Sequence, residues 1–287
     1  GANYLLALLV VILQAITLLA TVIGSRSGGC DGGMKKVILS LALGTFGLGM
    51  AEFGIMGVLT ELAHNVGISI PAAGHMISYY ALGVVVGAPI IALFSSRYSL
   101  KHILLFLVAL CVIGNAMFTL SSSYLMLAIG RLVSGFPHGA FFGVGAIVLS
   151  KIIKPGKVTA AVAGMVSGMT VANLLGIPLG TYLSQEFSWR YTFLLIAVFN
   201  IAVMASVYFW VPDIRDEAKG KLREQFHFLR SPAPWLIFAA TMFGNAGVFA
   251  TAEEIGQWAI WYMSQPQEVR ERACNAGLWT EDVQLAA

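Results

Sequence analysis

RLVSGFPHGAFFGVGA, residues 131–146, places an arginine and a histidine inside an otherwise apolar stretch. Between residues 103 and 150 the only charged or imidazole side chains are those of Arg131 and His138. Such a run is long enough to cross ~30 Å of hydrocarbon as a helix, at about 1.5 Å per residue. The stretch therefore predicts a membrane helix with two ionisable groups two turns apart, on roughly the same face.

The whole chain has the composition of a polytopic membrane protein. Of its 287 residues, 58% are hydrophobic and 11% are charged, and the mean hydropathy is +0.81, whereas soluble domains carry about 25% charged residues. The net charge of +3 is modest, so we expect no nucleic-acid binding. The three cysteines are scattered, without a CxxC pair, and indicate neither a metal site nor a disulfide framework. Since no GxxxxGK[ST] loop or hydrolytic triad is present, we expect neither an enzyme nor a cofactor.

Seven nearly uncharged runs are long enough to span a bilayer, and a shorter eighth run follows them. They cover residues 3–23, 38–60, 74–96, 103–122, 124–150, 158–184 and 190–212, with the short run at 235–250. Most lysines and arginines lie in the loops on one side, while the only such basic residue in the loops on the other side is Arg190. The positive-inside rule then predicts that both ends of the block 34–212 face the cytoplasm.

The two ends of the chain differ from this block. Residues 1–33 combine one apolar span with a glycine-rich linker. We interpret them as an added membrane anchor, because a signal peptide has a shorter apolar run and a basic start. Residues 213–234 are predicted to form a cytoplasmic loop and residues 235–250 a truncated seventh helix. Charge rises abruptly over residues 251–287, which is typical of a soluble or interfacial tail.

Four short motifs in the block resemble those of the major facilitator superfamily. RYSLK (97–101) resembles the loop between its second and third helices, and RLVSG (131–135) resembles its fourth-helix arginine motif. GMTVANLLGIPLG (168–180) is similar to the antiporter motif of its fifth helix. GMAEFGIMGVL (49–59) resembles the first helix of sugar-efflux members. Over residues 34–250 the sequence thus resembles the N-terminal half of a transporter from the drug/sugar–proton antiporter branch.

The motifs also indicate where helices pack closely or move. Small residues let neighbouring membrane helices approach, and a proline removes a backbone donor, so a soft point is expected near Pro178. The candidates for packing and gating are Gly87, Arg97, Lys101, Gly135, Gly168, Gly176, Pro178 and Gly180. For Arg97 and Lys101 an equal alternative is that they are cytoplasmic positive charges with no further role.

Helix geometry predicts that two opposite charges lie at the same depth. Arg131 lies seven residues from the outer end of its helix, or ~10 Å down, and Glu52 lies eight residues from the outer end of another helix, or ~12 Å down. His138 is two turns deeper than Arg131, and Asn115 and Asn173 fall at comparable depth. Because a lone charge in a membrane costs several kcal/mol, we expect a central cavity lined by Glu52, Arg131, His138 and Asn173.

Two roles are open for this cavity. Glu52, Arg131 and His138 are candidates for proton coupling, with Asn115 and Asn173 as contacts for a solute. The alternative is a structural ion pair that only fixes helix packing. The resemblance implies an all-α protein of a bacterial inner membrane, with a bundle of two inverted three-helix repeats that exports a small solute, a sugar or a drug, against protons.

The resemblance also implies a set of partners. They are the lipid bilayer, a small solute, and a missing second half or another membrane protein, since the family has twelve helices and one half is expected to be inactive alone. A different hypothesis is a truncated or fused chain that serves as a membrane-inserted substrate or partner of an insertion, assembly or quality-control machine. The final LAA, similar to the end of a bacterial degradation tag, is a weak indication of the latter.

Overall fold

The computed structural model describes residues 32–94 and 98–215, together with Pro232, Trp235, Leu236 and Ala239. The first two ranges form six helices: α1 (Gly32–Val66), α2 (Ile70–Phe94), α3 (Leu100–Leu120), α4 (Tyr124–Ile152), α5 (Val158–Glu186) and α6 (Trp189–Trp210). All six are long and apolar enough to cross a membrane. The predicted all-α, six-span block is therefore confirmed, and α1 begins at Gly32, two residues inside the predicted linker.

Several predicted segments lie outside the described residues. They are the anchor and most of its linker, most of the loop 213–234, most of the truncated seventh helix, the tail 251–287, and Arg97. The chain divides into two units, Gly1–Lys219 and Gly220–Ala287. The second unit is described only at its four isolated residues, which are helical.

Serine side chains cap the N-terminal ends of three helices. The hydroxyls of Ser99, Ser123 and Ser188 each accept a hydrogen bond, 3.4 Å long, from a backbone N–H in the first turn of α3, α4 and α6. These bonds satisfy donors that have no partner within the helix. Two other loops turn at Gly67 and Gly156, whose φ angles of 72° and 90° suit a residue without a Cβ.

Arg190 joins the predicted outer ends of α3 and α6. Its Nη1 donates to the carbonyl oxygen of Ser121 at 2.7 Å and to that of Thr119 at 2.5 Å. Its Cζ lies 4.5 Å from the ring centroid of Trp189. Because the last carbonyls of a helix lack intrahelical donors, the guanidinium caps the C-terminal end of α3 and connects it to α6.

The helices pack in a pattern with internal symmetry. The most extensive contacts are between α1 and α5 and between α2 and α4, followed by α3 with α4, α3 with α6 and α1 with α6. Exchanging α1–α3 for α4–α6 reproduces this pattern. Two three-helix repeats would give the same symmetry.

Glycines account for the closeness of the two main contacts. A Cβ on Gly87 or Gly135 would overlap a backbone carbonyl oxygen of the opposite helix in the α2–α4 contact, and one on Gly168 would do so in the α1–α5 contact. Further along α5, a Cβ on Gly180 would lie 2.7 Å from the carbonyl oxygen of Gly54. Since lipid offers no hydrophobic drive between helices, such close van der Waals packing holds the bundle together.

The first residues of α3 contact α6 and the segment that follows it. The backbone N–H of Leu100 donates to the carbonyl oxygen of Ile214 at 2.8 Å. Nζ of Lys101 lies 5.0 Å from the ring centroid of Tyr208 in α6, within reach of a cation–π interaction. Lys101 therefore contacts a neighbouring helix in addition to carrying a charge that is predicted to face the cytoplasm.

Candidate functional site

An acidic and a basic group meet between α1 and α4. Oε2 of Glu52 lies 3.6 Å from Nε2 of His138, and these side chains are 29% and 10% exposed. Within residues 32–94 and 98–215 this is the one carboxylate–base pair closer than 4.0 Å. Glu52 Oε2 is buried and has no hydrogen-bond partner. The pair therefore lies at the edge of the bundle, with one carboxylate oxygen turned inward toward the imidazole.

The imidazole of His138 is held by neighbours on several sides. The hydroxyl of Tyr80 lies 2.7 Å from Nδ1, and the two rings meet edge to face at 5.7 Å. The ring of Phe142 stacks on the imidazole at 5.5 Å. With Glu52 at Nε2, both ring nitrogens have a polar neighbour, so the position of the ring is well defined.

Arg131 lies at the centre of the bundle and is fully buried. Its Nη1 donates to the carbonyl oxygen of Ala51 at 2.7 Å, and its Nε donates to that of Met76 at 3.2 Å. The guanidinium thereby connects α4 to both α1 and α2. Nη2 has no hydrogen-bond partner.

Aromatic rings surround the same guanidinium. Cζ of Arg131 lies 4.4 Å from the ring centroid of Tyr80, 5.7 Å from that of Phe118 and 5.8 Å from that of Phe193. The negative faces of such rings attract a cation, and most strongly where water is excluded. Rings and carbonyl oxygens thus surround the charge that was expected to face a carboxylate.

The expected cavity of four polar groups differs from the observed arrangement. Glu52 contacts His138 and not Arg131, because Arg131 is directed to the carbonyl of Ala51, the residue before Glu52. Asn173 is exposed on α5 and makes no hydrogen bond with the described residues. The structure therefore brings together Glu52 and His138, with Arg131 beside them.

Asn115 lies in the interior and not at an open cavity. It is fully buried, and its Nδ2 donates to the carbonyl oxygen of Cys111, one turn earlier, at 2.8 Å. Its Oδ1 has no partner. A polar side chain that bonds its own helix in this way contributes to packing, so a solute contact at Asn115 would need the helices to move.

The remaining motif residues serve mainly in packing. Gly87, Gly135, Gly168, Gly176 and Gly180 lie in the two close helix contacts. Pro178 is exposed, and α5 continues through it as one helix.

A separate apolar pocket of about 440 Å³ opens between α2 and α3. It is lined by Ile90, Ile91, Tyr98, His102, Ile103, Phe106 and Phe136. Neither member of the acid–base pair lines it. Within the part of the chain that the structure describes, no group of three potential metal ligands occurs.

Sequence reasoning missed Tyr80, the residue that contacts both His138 and Arg131. Tyrosine is common in membrane helices, so its presence in one does not by itself indicate a functional role. The feature that could have identified Tyr80 is its position near the middle of α2, far from the membrane interfaces where tyrosine is usual. A buried hydroxyl at that depth requires a polar partner.

Comparisons with known proteins agree with this architecture. A family profile described as Major Facilitator Superfamily matches residues 41–270. The chain is 36% identical over 212 residues to the inner membrane transport protein YdhP of Escherichia coli and 34% identical over 213 residues to the uncharacterized MFS-type transporter YtbD of Bacillus subtilis. Each match covers 74% of this chain and 54% of the relative.

More distant relatives extend the comparison. The chain is 27% identical over 222 residues to a chloramphenicol resistance protein of Streptomyces lividans, covering 76% of this chain and 57% of that protein. The crystal structure of a D-xylose–proton symporter is similar in fold, with a TM-score of 0.56 and 15% identity over 73% of this chain and 54% of the symporter. The chain therefore spans about half the length of the relatives that it matches.

Proposed function

The chain belongs to the major facilitator superfamily, and from this premise we propose that its six-helix bundle is half of a proton-coupled exporter of a small solute. It is a multi-pass protein of the bacterial inner membrane. The observation that carries the proposal is the Glu52–His138 pair, partly open at the edge of the bundle and 3.6 Å apart. Ionisable groups inside membrane segments are costly, and they are typical of proton and substrate pathways.

The pair has the chemistry that coupling requires. A carboxyl and an imidazole in contact can share, take up or release a proton, and the charge of the pair changes with each event. A change of charge in a semi-dry site alters the balance between two helix arrangements. A structural ion pair would instead keep one protonation state throughout the transport cycle.

The solute is proposed by class. Relatives of the chain include a protein named for chloramphenicol resistance and, at the level of fold, one named for D-xylose transport. From their motifs we infer that residues 34–250 also resemble the N-terminal half of the arabinose-inducible transporter AraJ, and we propose a sugar or a drug-like molecule as the solute.

One bundle is proposed to be inactive by itself. Alternating access in this family requires two bundles that rock about a site at the membrane midplane, and the described residues supply one. In the absence of a second bundle, the face around Glu52 would meet lipid, a second copy or another membrane protein. Contact with another membrane protein would fit the alternative role as a partner of an insertion or quality-control machine.

Liposome transport tests the proposal directly. The 287-residue chain and a complete transporter, in which a second six-helix half follows this half as in the relatives, are reconstituted with a pH-sensitive dye inside. L-arabinose, D-xylose and chloramphenicol serve as probes under an imposed pH gradient. We expect solute-dependent proton movement with the complete transporter and none with the 287-residue chain. Proton movement by the chain alone would contradict the half-transporter proposal, and none with either protein would contradict coupling to these solutes.

A further inference from the structure

The hydroxyl of Tyr80 contacts His138, the basic member of the proposed coupling pair. Its oxygen lies 2.7 Å from Nδ1 of His138 and 3.2 Å from the backbone carbonyl oxygen of Leu48. Tyr80 is 2% exposed, so the hydroxyl has these two partners within the described bundle. It can donate one hydrogen and accept at least one other.

The two partners of the hydroxyl differ in what they can do. The carbonyl of Leu48 only accepts, whereas Nδ1 accepts when it is bare and donates when it is protonated. When Nδ1 is bare, the Tyr80 O–H donates to it. When Nδ1 carries a proton, the N–H donates to the Tyr80 oxygen, and the hydroxyl hydrogen turns to Leu48. Both states are satisfied with the same heavy-atom positions.

The surroundings of His138 contain few other groups that could take this role. From α1 it faces Glu52 at Nε2, and from α2 it faces Tyr80 at Nδ1. Its own helix places Arg131 over the Tyr80 ring, with Cζ 4.4 Å from the ring centroid. In α3 the buried ionisable group is the Cys111 thiol, and the only charged residue of α5 is Glu186 at its last position. Nδ1 therefore depends on the Tyr80 hydroxyl.

We propose that Tyr80 is a positioning residue that lets His138 gain and lose the coupling proton by exchanging the direction of one hydrogen bond. The inference deepens the proposed function and rests on coupling at the Glu52–His138 pair. Without the hydroxyl, a protonated Nδ1 would be a buried donor with no acceptor, and such a group is costly. The unprotonated ring would lose less, because a bare nitrogen in an apolar site carries no charge.

Nitrogen NMR of His138 tests the inference on the 287-residue chain in lipid nanodiscs. The ¹⁵N shifts of the imidazole show which ring nitrogens carry protons, and His138→Gln assigns the signal. In Tyr80→Phe we expect the midpoint of the His138 titration to move by about one unit toward lower pH, since a hydrogen bond to a charged group is lost. The retained ring keeps its contact with Arg131. A fluorotyrosine at position 80, which is a weaker acceptor, should give a smaller shift in the same direction.

Tyr79→Phe is the matched control. It removes a hydroxyl from the neighbouring residue of the same helix, where the oxygen lies 3.4 Å from the hydroxyl of Tyr124 and does not contact His138. We expect the His138 midpoint to be unchanged in this variant. Equal midpoints in Tyr80→Phe and Tyr79→Phe would overturn the inference.

Transport separates this inference from the function on which it rests. In the complete transporter, Tyr80→Phe should move the pH of half-maximal proton-driven export by the same amount as the NMR midpoint. An NMR shift without a change in the transport profile would overturn the role in coupling. Absence of proton-driven export in the unmodified complete transporter would instead reject the proposed function, and the NMR titration would still decide whether Tyr80 serves His138.

Discussion

Nη1 of Arg131 donates to the backbone carbonyl oxygen of Ala51 at 2.7 Å, one residue before Glu52 in α1. The guanidinium is thus level with the carboxyl-bearing residue, yet its bonds go to backbone oxygens of α1 and α2. Those acceptors are available whatever the protonation state of Glu52. Arg131 therefore connects three helices through bonds that do not depend on the charge of the neighbouring pair.

A double-mutant cycle distinguishes this arrangement from a direct ion pair. Arg131→Lys keeps the charge but cannot supply the planar set of donors, so we expect it to destabilise the bundle by about 1–3 kcal/mol. The cost should be the same within about 0.5 kcal/mol in the Glu52→Gln background, since the lost bonds go to carbonyls. Thermal unfolding in detergent measures each corner. A coupling above about 1 kcal/mol would show that Arg131 and Glu52 contact each other directly.

Glu52→Gln in the complete transporter tests coupling itself. The change removes the titrating group and keeps its size, so we expect proton-driven accumulation to fall at least about tenfold while downhill exchange continues. Glu61→Gln is the control, because Glu61 is exposed near the C-terminal end of the same helix. Uphill, pH-dependent export that survived Glu52→Gln would make the carboxyl structural.

The sequence predicted the architecture well because membrane helices are defined by length and apolarity. The six runs of the block coincide with α1–α6 to within a few residues at most ends, and α1 extends six residues further at each end. The absence of charge over some twenty residues admits few other structures. In the fold, serine caps such as Ser123 set the first residue of a helix, and apolarity alone does not show where that residue lies.

The site was harder to predict because its partners are not distinctive residues. Glu52 and His138 stand out as ionisable groups within apolar runs, but depth placed Glu52 level with Arg131 and His138 two turns deeper, whereas the observed contact is between Glu52 and His138. The acceptors of Arg131 are backbone carbonyls, which any residue supplies. Rotation about each helix axis, which decides that Asn173 is exposed, depends on packing and cannot be read from depth.

Removing the Arg190 guanidinium should loosen the outer end of the bundle. Arg190→Ala deprives the carbonyls of Thr119 and Ser121 of their charged donor, so we expect a loss of about 1–3 kcal/mol in thermal unfolding. Lys154→Ala, which removes an exposed positive charge from the loop before α5, should change stability by less than about 0.5 kcal/mol. Equal effects in the two variants would contradict a capping role for Arg190.

Gly168→Ala tests whether the close contact of α5 with α1 is essential to the bundle. Its new Cβ would overlap the carbonyl oxygen of Ala42 and approach the hydroxyl of Thr45, which itself donates to the Met165 carbonyl across the two helices at 2.6 Å. Separation of the helices would weaken that bond, so we expect a loss of about 1–3 kcal/mol.

Gly143→Ala is the matched control for this substitution. It adds the same methyl group to the membrane helix α4, at a site where, apart from the adjacent residues and nearby backbone of α4 itself, no atom lies within 4 Å of the new Cβ. Since alanine also favours the helix over glycine, we expect unchanged or slightly higher stability. Thermal unfolding and the yield of monodisperse protein compare the two variants side by side. If Gly168→Ala were as stable as Gly143→Ala, the α1–α5 contact could not be as close as described, and the packing role of the GMTVANLLGIPLG motif would be wrong.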